Sequence, residues 1–271
     1  MANPTTDAVS FDLPHGHGAN PVRIAARAGR DQVASIIARA GWEAYERPLP
    51  AVLYRTAAAT PGLIADIGAN TGFYAILAAC AQPANRVLAF EPVPDILAAL
   101  DENIRANGLS RRVRLIRCAI GARNRTTKLY MPLQDHGLVE TSASLRADFK
   151  PPHSAALEVL ERTLDRVLAR PSLAFRRLGI IKIDVEGHEC AVLEGAHWAI
   201  TLHRPVIFIE VLPGANLPAL NAFLARYKYA DIVLHAFAPP AVHDRVDFVA
   251  ESWNHAFVPR ERVGAFLALH A

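Results

Sequence analysis

Short apolar runs, each closed by a turn, alternate with stretches of helical spacing from Pro61 onward, and this recurrence constrains the chain more than any other feature. Leu63–Ile67 leads into the turn Asp66-Ile67-Gly68-Ala69-Asn70-Thr71-Gly72, and Phe73–Ala81 then has helical spacing. Arg86–Glu91 is a second run, stopped by Pro92 and Pro94. The helix after it is expected to run to about Asn107, with Asp95 as its cap and Gly108 as its stop. Val113–Ile120 is the third strand. After an interruption between Gly121 and Phe175 the alternation resumes with Ile180–Val185, a helix to about Ile200, Val206–Val211, a helix over Leu217–Tyr227 and a strand at Ile232–Phe237. A last, antiparallel strand is expected near Ala256–Pro259. Parallel strands need long crossovers and helices supply them, so the pattern predicts an α/β fold built from βαβ units.

Composition narrows the class. Of 271 residues 52% are hydrophobic and 20% charged, enough to bury a sizeable core and too apolar for disorder. A net charge of +3 gives no reason to expect a nucleic-acid groove. Cys80, Cys118 and Cys190 sit in apolar stretches at wide spacings, which suits small core residues better than a metal site or disulfides. With no signal-peptide pattern and no apolar stretch of membrane-spanning length, a cytoplasmic protein without a membrane span is expected.

The first twenty residues are polar and read as a loose tail, in which His15-Gly16-His17 is taken as tail and not as a metal site. Residues 21–58 read as helices because Val22, Ile24, Ala25, Val33, Ile36 and Ile37 recur at near-helical spacing, with breaks at Pro48 and Pro50. The expected organisation is therefore a tail and helical extension over 1–58 and a catalytic domain over 59–271. Within that domain the interruption at 121–175 is expected to shape a substrate pocket.

Parallel sheets bind ligands beyond the carboxyl ends of their strands, so the residues just after each apolar run carry the chemistry. Gly68 and Gly72 let the backbone turn tightly and approach a ligand, and the helix that follows offers free N–H groups to an anionic group. Glu91, ending the second run, can accept hydrogen bonds from a ribose diol. The turn is Gly68-x-x-x-Gly72 and lacks the third glycine of a dinucleotide site, which favours S-adenosylmethionine (SAM) over a pyrophosphate-bearing cofactor.

A second constellation is Lys182-Ile183-Asp184-Val185-Glu186-Gly187-His188-Glu189. Alternation puts Asp184 and Glu186 on one side if the strand persists, and carboxylates there are costly unless used. Glu189 reads as a helix-capping residue, and His188 stays open between base and surface residue. Glu210, ending a later strand, is also open.

Together these residues resemble the FkbM family of methyltransferases. The resemblance is carried by Asp66-Ile67-Gly68-Ala69-Asn70-Thr71-Gly72, Phe90-Glu91-Pro92, Cys118-Ala119-Ile120-Gly121, Thr163-Leu164-Asp165 and Ile181–Glu189. The later Val192-Leu193-Glu194-Gly195-Ala196 and Pro205–Glu210 are similar to the same family, so the likeness spans roughly residues 60–212. It implies a Rossmann-like class I methyltransferase fold, a mostly parallel seven-stranded sheet with helices on both faces and one antiparallel strand near its C-terminal edge. It further implies SAM as donor and a hydroxyl of a small molecule, such as a sugar, glycan precursor or polyketide-type metabolite, as acceptor. On that resemblance Gly68, Asn70 and Gly72 contact the amino-acid end of SAM, with Asp66, Ala69 and Thr71 in the same turn. Glu91 and Pro92 lie at the ribose, and Ala119 and Ile120 border the adenine. Asp184 or Glu186 is the expected base or acceptor-positioning group, with His188 in reserve.

Several rivals follow from the same residues. Asp184 with Glu210 holding a divalent metal is one, although no metal pattern indicates it. A SAM-binding regulatory or scaffold protein and an NAD-dependent oxidoreductase are others. Methylation of DNA bases is disfavoured, because the Asn/Asp-Pro-Pro-Tyr/Phe tetrad of such enzymes does not occur. Ser142 and Ser144 are candidate polar contacts to the acceptor.

Overall fold

A computed structural model describes residues 8–14, 20–132, 143–146, 148, 153–170, 173 and 177–271, with backbone alone for 132, 153 and 154. His15, Gly16, His17 and Ser142 lie outside the described residues. The strands are β1 (Ala8–Phe11), β2 (Val22–Ala25), β3 (Leu63–Ile67), β4 (Arg86–Phe90), β5 (Val113–Ile116), β6 (Ala119–Ile120), β7 (Arg125–Pro132), β8 (His153–Arg162), β9 (Leu178–Ile183), β10 (Val206–Glu210), β11 (Tyr229–Val233), β12 (Ala241–His243) and β13 (Asn254–Pro259). The helices are α1 (Gln32–Ala40), α2 (Leu49–Ala59), α3 (Phe73–Ala81), α4 (Pro94–Ala106), α5 (Leu164–Leu168), α6 (Glu189–Glu194), α7 (His197–His203), α8 (Leu217–Tyr227) and α9 (Val263–His270).

The central sheet runs β12-β11-β13-β10-β9-β3-β4-β5. Strands β10, β9, β3, β4 and β5 are mutually parallel, whereas β13 is antiparallel to both β10 and β11. Seven of these strands make the expected sheet; β12 adds a short edge. Successive strand residues serve opposite faces. Ile64, Val87 and Ile180 join the core shared with α2 and α3, while Leu63, Leu88 and Ile181 join the core shared with α6, α7 and α8. Chain order reverses at β3, which has β4 on one side and β9 on the other, so a crevice opens at the ends of β3 and β9.

The N-terminal segment corrects the sequence reading. Ala8–Phe11, expected as tail, and Val22–Ala25, expected as helix, are paired antiparallel strands. Val22 and Ile24 are buried and Arg23 exposed, a period of two that overrides the helical spacing. Helix α4 ties this hairpin down: Asn107 accepts from the Arg23 N–H at 2.8 Å, and Asn103 accepts from the Ala25 N–H at 2.9 Å. Helical structure begins only at Gln32, capped by Asp31, whose side chain accepts from the Ala34 N–H.

Other boundaries also differ from expectation. Val93, not Asp95, is the N-cap of α4, because Pro94 with its fixed φ takes the first helical position and leaves Asp95 in the first turn. Strand β9 stops at Ile183, and residues 184–188 form a turn in which Glu186 and Gly187 both have positive φ. The following helix is broken into α6 and α7 around Gly195, where a Cβ would strike the Gly121 carbonyl oxygen. The run expected as one strand over Val113–Ile120 is split: β5 stays in the central sheet, and β6 joins β7 and β8 in a separate three-stranded sheet. Cys80 and Cys118 are buried and Cys190 half-buried, and all three are free thiols.

Candidate active site

A cleft of about 660 Å³ opens at the carboxyl ends of the parallel strands. Its floor is the β3–β9 junction. The Asp184 N–H donates to the Ile67 carbonyl at 3.0 Å, and a Cβ at Gly68 (φ +78°) would collide with the Asp184 carbonyl oxygen. Gly68 is therefore required by the close approach of two turns as well as by its left-handed backbone. The Gly68 and Ala69 N–H groups both donate to the Phe90 carbonyl, at 3.1 and 2.9 Å, which locks the turn onto the end of β4.

Glu91 closes that corner. Its Oε2 accepts from the Asn70 N–H at 3.1 Å and its Oε1 from the Val93 N–H at 2.9 Å. Burial raises its pKa to about 7, against the lowering effect of those two bonds. Each carboxylate oxygen keeps accepting capacity beyond one N–H bond, and the residue lines the cleft.

The expected donor-site residues divide by position. Gly68, Asn70, Glu91, Pro92, Ala119 and Ile120 line the cleft. Asp66, Ala69, Thr71 and Gly72 do not. Ala69 and Thr71 are buried in the turn, and the Thr71 carbonyl accepts from Asn103 Nδ2 at 2.8 Å. Gly72 is the left-handed N-cap of α3, with Leu100 against the place of a Cβ. Asp66 points away from the cleft. It is the register partner of Lys182, whose ammonium stands 3.9 Å from its Oδ1. Burial raises the Asp66 pKa to about 6, with Lys182 opposing.

Lys182 is one residue whose role the sequence reading missed. The residue is 3% exposed, and its ammonium donates to Asp184 Oδ2 at 2.9 Å and to the Gly68 carbonyl at 3.4 Å and lies 4.7 Å from the Tyr74 ring centroid. Burial disfavours the charge, but Asp184, Asp66 and Glu46 outweigh it and raise the pKa above its ordinary value. A lone lysine inside an apolar strand was the available signal.

Asp184, Glu186, His188 and Glu210 all line the cleft, and Glu46 joins them from the turn before α2. Tyr74 donates its hydroxyl to Glu46 Oε2 at 2.7 Å. Burial and then Asp184 raise the Glu46 pKa. Burial, then Asp184, Glu46 and Glu186, raise the Glu210 pKa well above the ordinary carboxylate value, against Lys182. Burial lowers the His188 pKa, against Glu161. Glu189 stands in the first turn of α6, and its Oε1 accepts from the Gly187 N–H at 2.9 Å, a bond to the turn before the helix. Ser144 is corrected. It is buried, and its hydroxyl donates to the Glu186 carbonyl at 2.7 Å, so it braces the turn instead of facing a ligand. Apolar wall comes from Ile96, Leu129, Ala143 and Leu145, and Trp253, 44% exposed, stands at the rim. Thr163 and Asp165 are structural: Thr163 caps α5, and Asp165 accepts from the Trp198 and Ala199 N–H groups.

A buried carboxylate and a glycine turn thus share one corner of the cleft at the switch point of the sheet. The model of the methyltransferase FkbM domain matches residues 66–230, more than half of the chain. The chain belongs to the FkbM methyltransferase family. It is accordingly a SAM-dependent methyltransferase. A curated relative, methyltransferase sdnD of Sordaria araneosa, is 26% identical over 185 residues, 59% of this chain and 71% of that protein. Among solved structures, methyltransferase FkbM from Methylobacillus flagellatus KT is 20% identical with a TM-score of 0.49. The match covers 73% of this chain but 43% of that one, less than half its length. The O-methyltransferase TomG from Streptomyces achromogenes, solved in complex with SAM, is 15% identical over 78% of this chain and 79% of its own, with a TM-score of 0.45. Among the described residues no helix is long and apolar enough to cross a membrane.

Proposed function

We propose that the cleft binds SAM along the β3–β4 corner and transfers its methyl group to a hydroxyl oxygen of a small molecule, of the sugar, glycan-precursor or polyketide type. The observation that carries this reading is Glu91: a buried carboxylate, anchored by two backbone N–H groups, that still faces a cleft of nucleoside size. Several features suit the donor. Glu91 has lone pairs to spare for a diol, Ala119 and Ile120 offer an apolar wall for a base, and Gly68 and Asn70 present backbone to the amino-acid end. The carboxylates of Asp184 and Glu186 favour a sulfonium cation over a neutral ligand.

When bound, SAM supplies a methyl group already activated for displacement, so the protein's work is alignment, exclusion of water and removal of the hydroxyl proton. Asp184 is held by Lys182 and is suited to accept a hydrogen bond from the acceptor. Burial lowers the His188 pKa, which favours the neutral imidazole suited to take the proton. Leu129, Ala143 and Leu145, from the segment 121–175, form part of the acceptor wall.

The test uses S-adenosylhomocysteine and labelled SAM. Calorimetry should show wild-type protein binding S-adenosylhomocysteine and Glu91→Gln binding it about 10- to 100-fold more weakly, as expected for a charge-assisted pair of hydrogen bonds. Equal affinity of the two proteins would remove Glu91 from the donor site. Label transferred from SAM to a panel of glycosides and polyols should appear as a methyl ether, and a product methylated on nitrogen or carbon would overturn the hydroxyl assignment.

A further inference from the structure

One buried carboxylate beside the cleft has no part in the reading above. Glu161, at the end of β8, is 1% exposed. Arg125 donates Nε–H to its Oε2 at 2.6 Å, and the Arg123 N–H donates to its Oε1 at 3.2 Å. The same Oε1 lies 4.0 Å from His188 Nε2, which is itself buried and has no hydrogen-bond partner. The approach depends on missing side chains. A Cβ at Gly121 would strike Glu161 Oε1 and come within 2.8 Å of His188 Nε2, and one at Gly195 would strike the Gly121 carbonyl. Two glycines thus let the three-stranded sheet press a carboxylate against the inward nitrogen of a cleft-lining imidazole.

We propose that Glu161 is a positioning residue: it holds the Nε2–H of His188 and so turns Nδ1 toward the cleft as the proton acceptor for the substrate hydroxyl. The inference rests on the hydroxyl-methylating reading of the site. In the step, the hydroxyl proton passes to Nδ1 as the oxygen–methyl bond forms. The sulfur–methyl bond breaks with its electron pair left on sulfur, and the imidazolium later gives its proton to water. A buried imidazolium needs a counter-charge, and Glu161 is the carboxylate placed to supply it. The 4.0 Å separation is just outside hydrogen-bond reach, as free-enzyme contacts of this kind often are before the site closes on its ligand.

The other charges around His188 set the expected signs. Arg125 on β7 and Arg146 on residues 143–146 both disfavour the imidazolium, and Arg146 is tied to Asp148 at 2.6 Å. Glu186 and Glu189 flank it on its own turn.

Histidine-selective NMR titration of the full chain with S-adenosylhomocysteine bound tests the pair without an acceptor. The His188 signal is assigned by its loss in His188→Asn. Glu161→Gln should lower the His188 pKa by about one unit or more, and Arg125→Gln should raise it, because an opposite charge at this range shifts a pKa by about 1–3 units. A purely structural role for Glu161 would not move the pKa in opposite directions in the two variants. A His188 pKa unchanged in both variants, with S-adenosylhomocysteine still bound, overturns the pairing and leaves the donor reading intact. Should Glu161→Gln not fold, Glu161→Asp, which withdraws the carboxylate by one methylene, takes its place: a lowered His188 pKa supports the pair, and no change refutes it. Failure of wild-type protein to bind S-adenosylhomocysteine overturns the donor reading, and the inference with it.

Discussion

Replacing Lys182 by Met keeps the length of the side chain and removes the one ammonium that lies between Asp66 and Asp184. Asp184 is on the cleft wall, with its side chain 24% exposed, so water can take over much of its solvation. Asp66 cannot be rescued that way. Its side chain is 2% exposed and, among the described residues, Lys182 is the cation placed against it. Breaking a buried pair by deleting one partner costs about 3–5 kcal/mol, chiefly through the charge left behind. The cost must depend on pH, and its sign follows from Asp66. The folded-state pKa of Asp66, about 6, is above the ordinary carboxylate value, so its contribution is fully favourable below about pH 3.9 and is lost as pH rises through 6. Without Lys182 the folded pKa climbs further and the window of loss extends to higher pH. Urea unfolding followed by circular dichroism should therefore show Lys182→Met less stable by about 3–5 kcal/mol near pH 8 and by under about 2 kcal/mol near pH 5. Adding Asp66→Asn to the variant should restore most of the loss at the higher pH. An equal loss at both pH values, or no recovery in the double variant, would refute the account of Asp66 as the stranded charge.

Two further predictions concern the scaffold of the site. Gly68→Ala places a Cβ into the Asp184 carbonyl at a left-handed φ, and should cost about 2–5 kcal/mol in urea unfolding while abolishing S-adenosylhomocysteine binding; normal stability would mean that the two turns can separate. Asn103→Ala strands both the Thr71 carbonyl and the Ala25 N–H, so about 2–4 kcal/mol should be lost and hydrogen exchange at Ala25 should quicken. Unaltered exchange there would show that the hairpin is held by something other than α4.

The parallel core was legible because each strand is an apolar run too short for a helix and is closed by glycine or proline. The same logic held most of the details of Asp66, yet they were misread. In β3, Leu63, Ala65 and Ile67 share one face, so Ile64 and Asp66 share the other, the face that α3 covers. Strand parity thus already placed Asp66 under the helix and away from the crevice. The hairpin of β1 and β2 was less accessible, since Val22 and Ile24 suit a strand and a helix equally and the partner strand lies ten residues upstream across a polar stretch. Glu46, Glu161 and the bracing role of Ser144 carry no local signature at all. Each depends on which segment docks beside it, a tertiary fact that neither periodicity nor a motif encodes.

That difference runs along the cleft itself. On the proposed donor side, Gly68, Asn70 and Glu91 are placed by two adjacent βα turns whose backbone hydrogen bonds interlock, so the sequence that builds the fold also builds that part of the cleft. On the other side, Gln32, Ile36, Tyr45 and Glu46 precede the segment that matches the family model, and Trp253 follows it. Glu46 is tied to the β3–β9 junction through the charge of Lys182, but the others make none of the backbone hydrogen bonds that join the two turns. Substitutions at Gln32, Ile36 or Trp253 can therefore reshape that wall without disturbing the turns beneath the proposed donor subsite. On the proposed reading the choice of acceptor and the hold on the donor are physically separable in this chain.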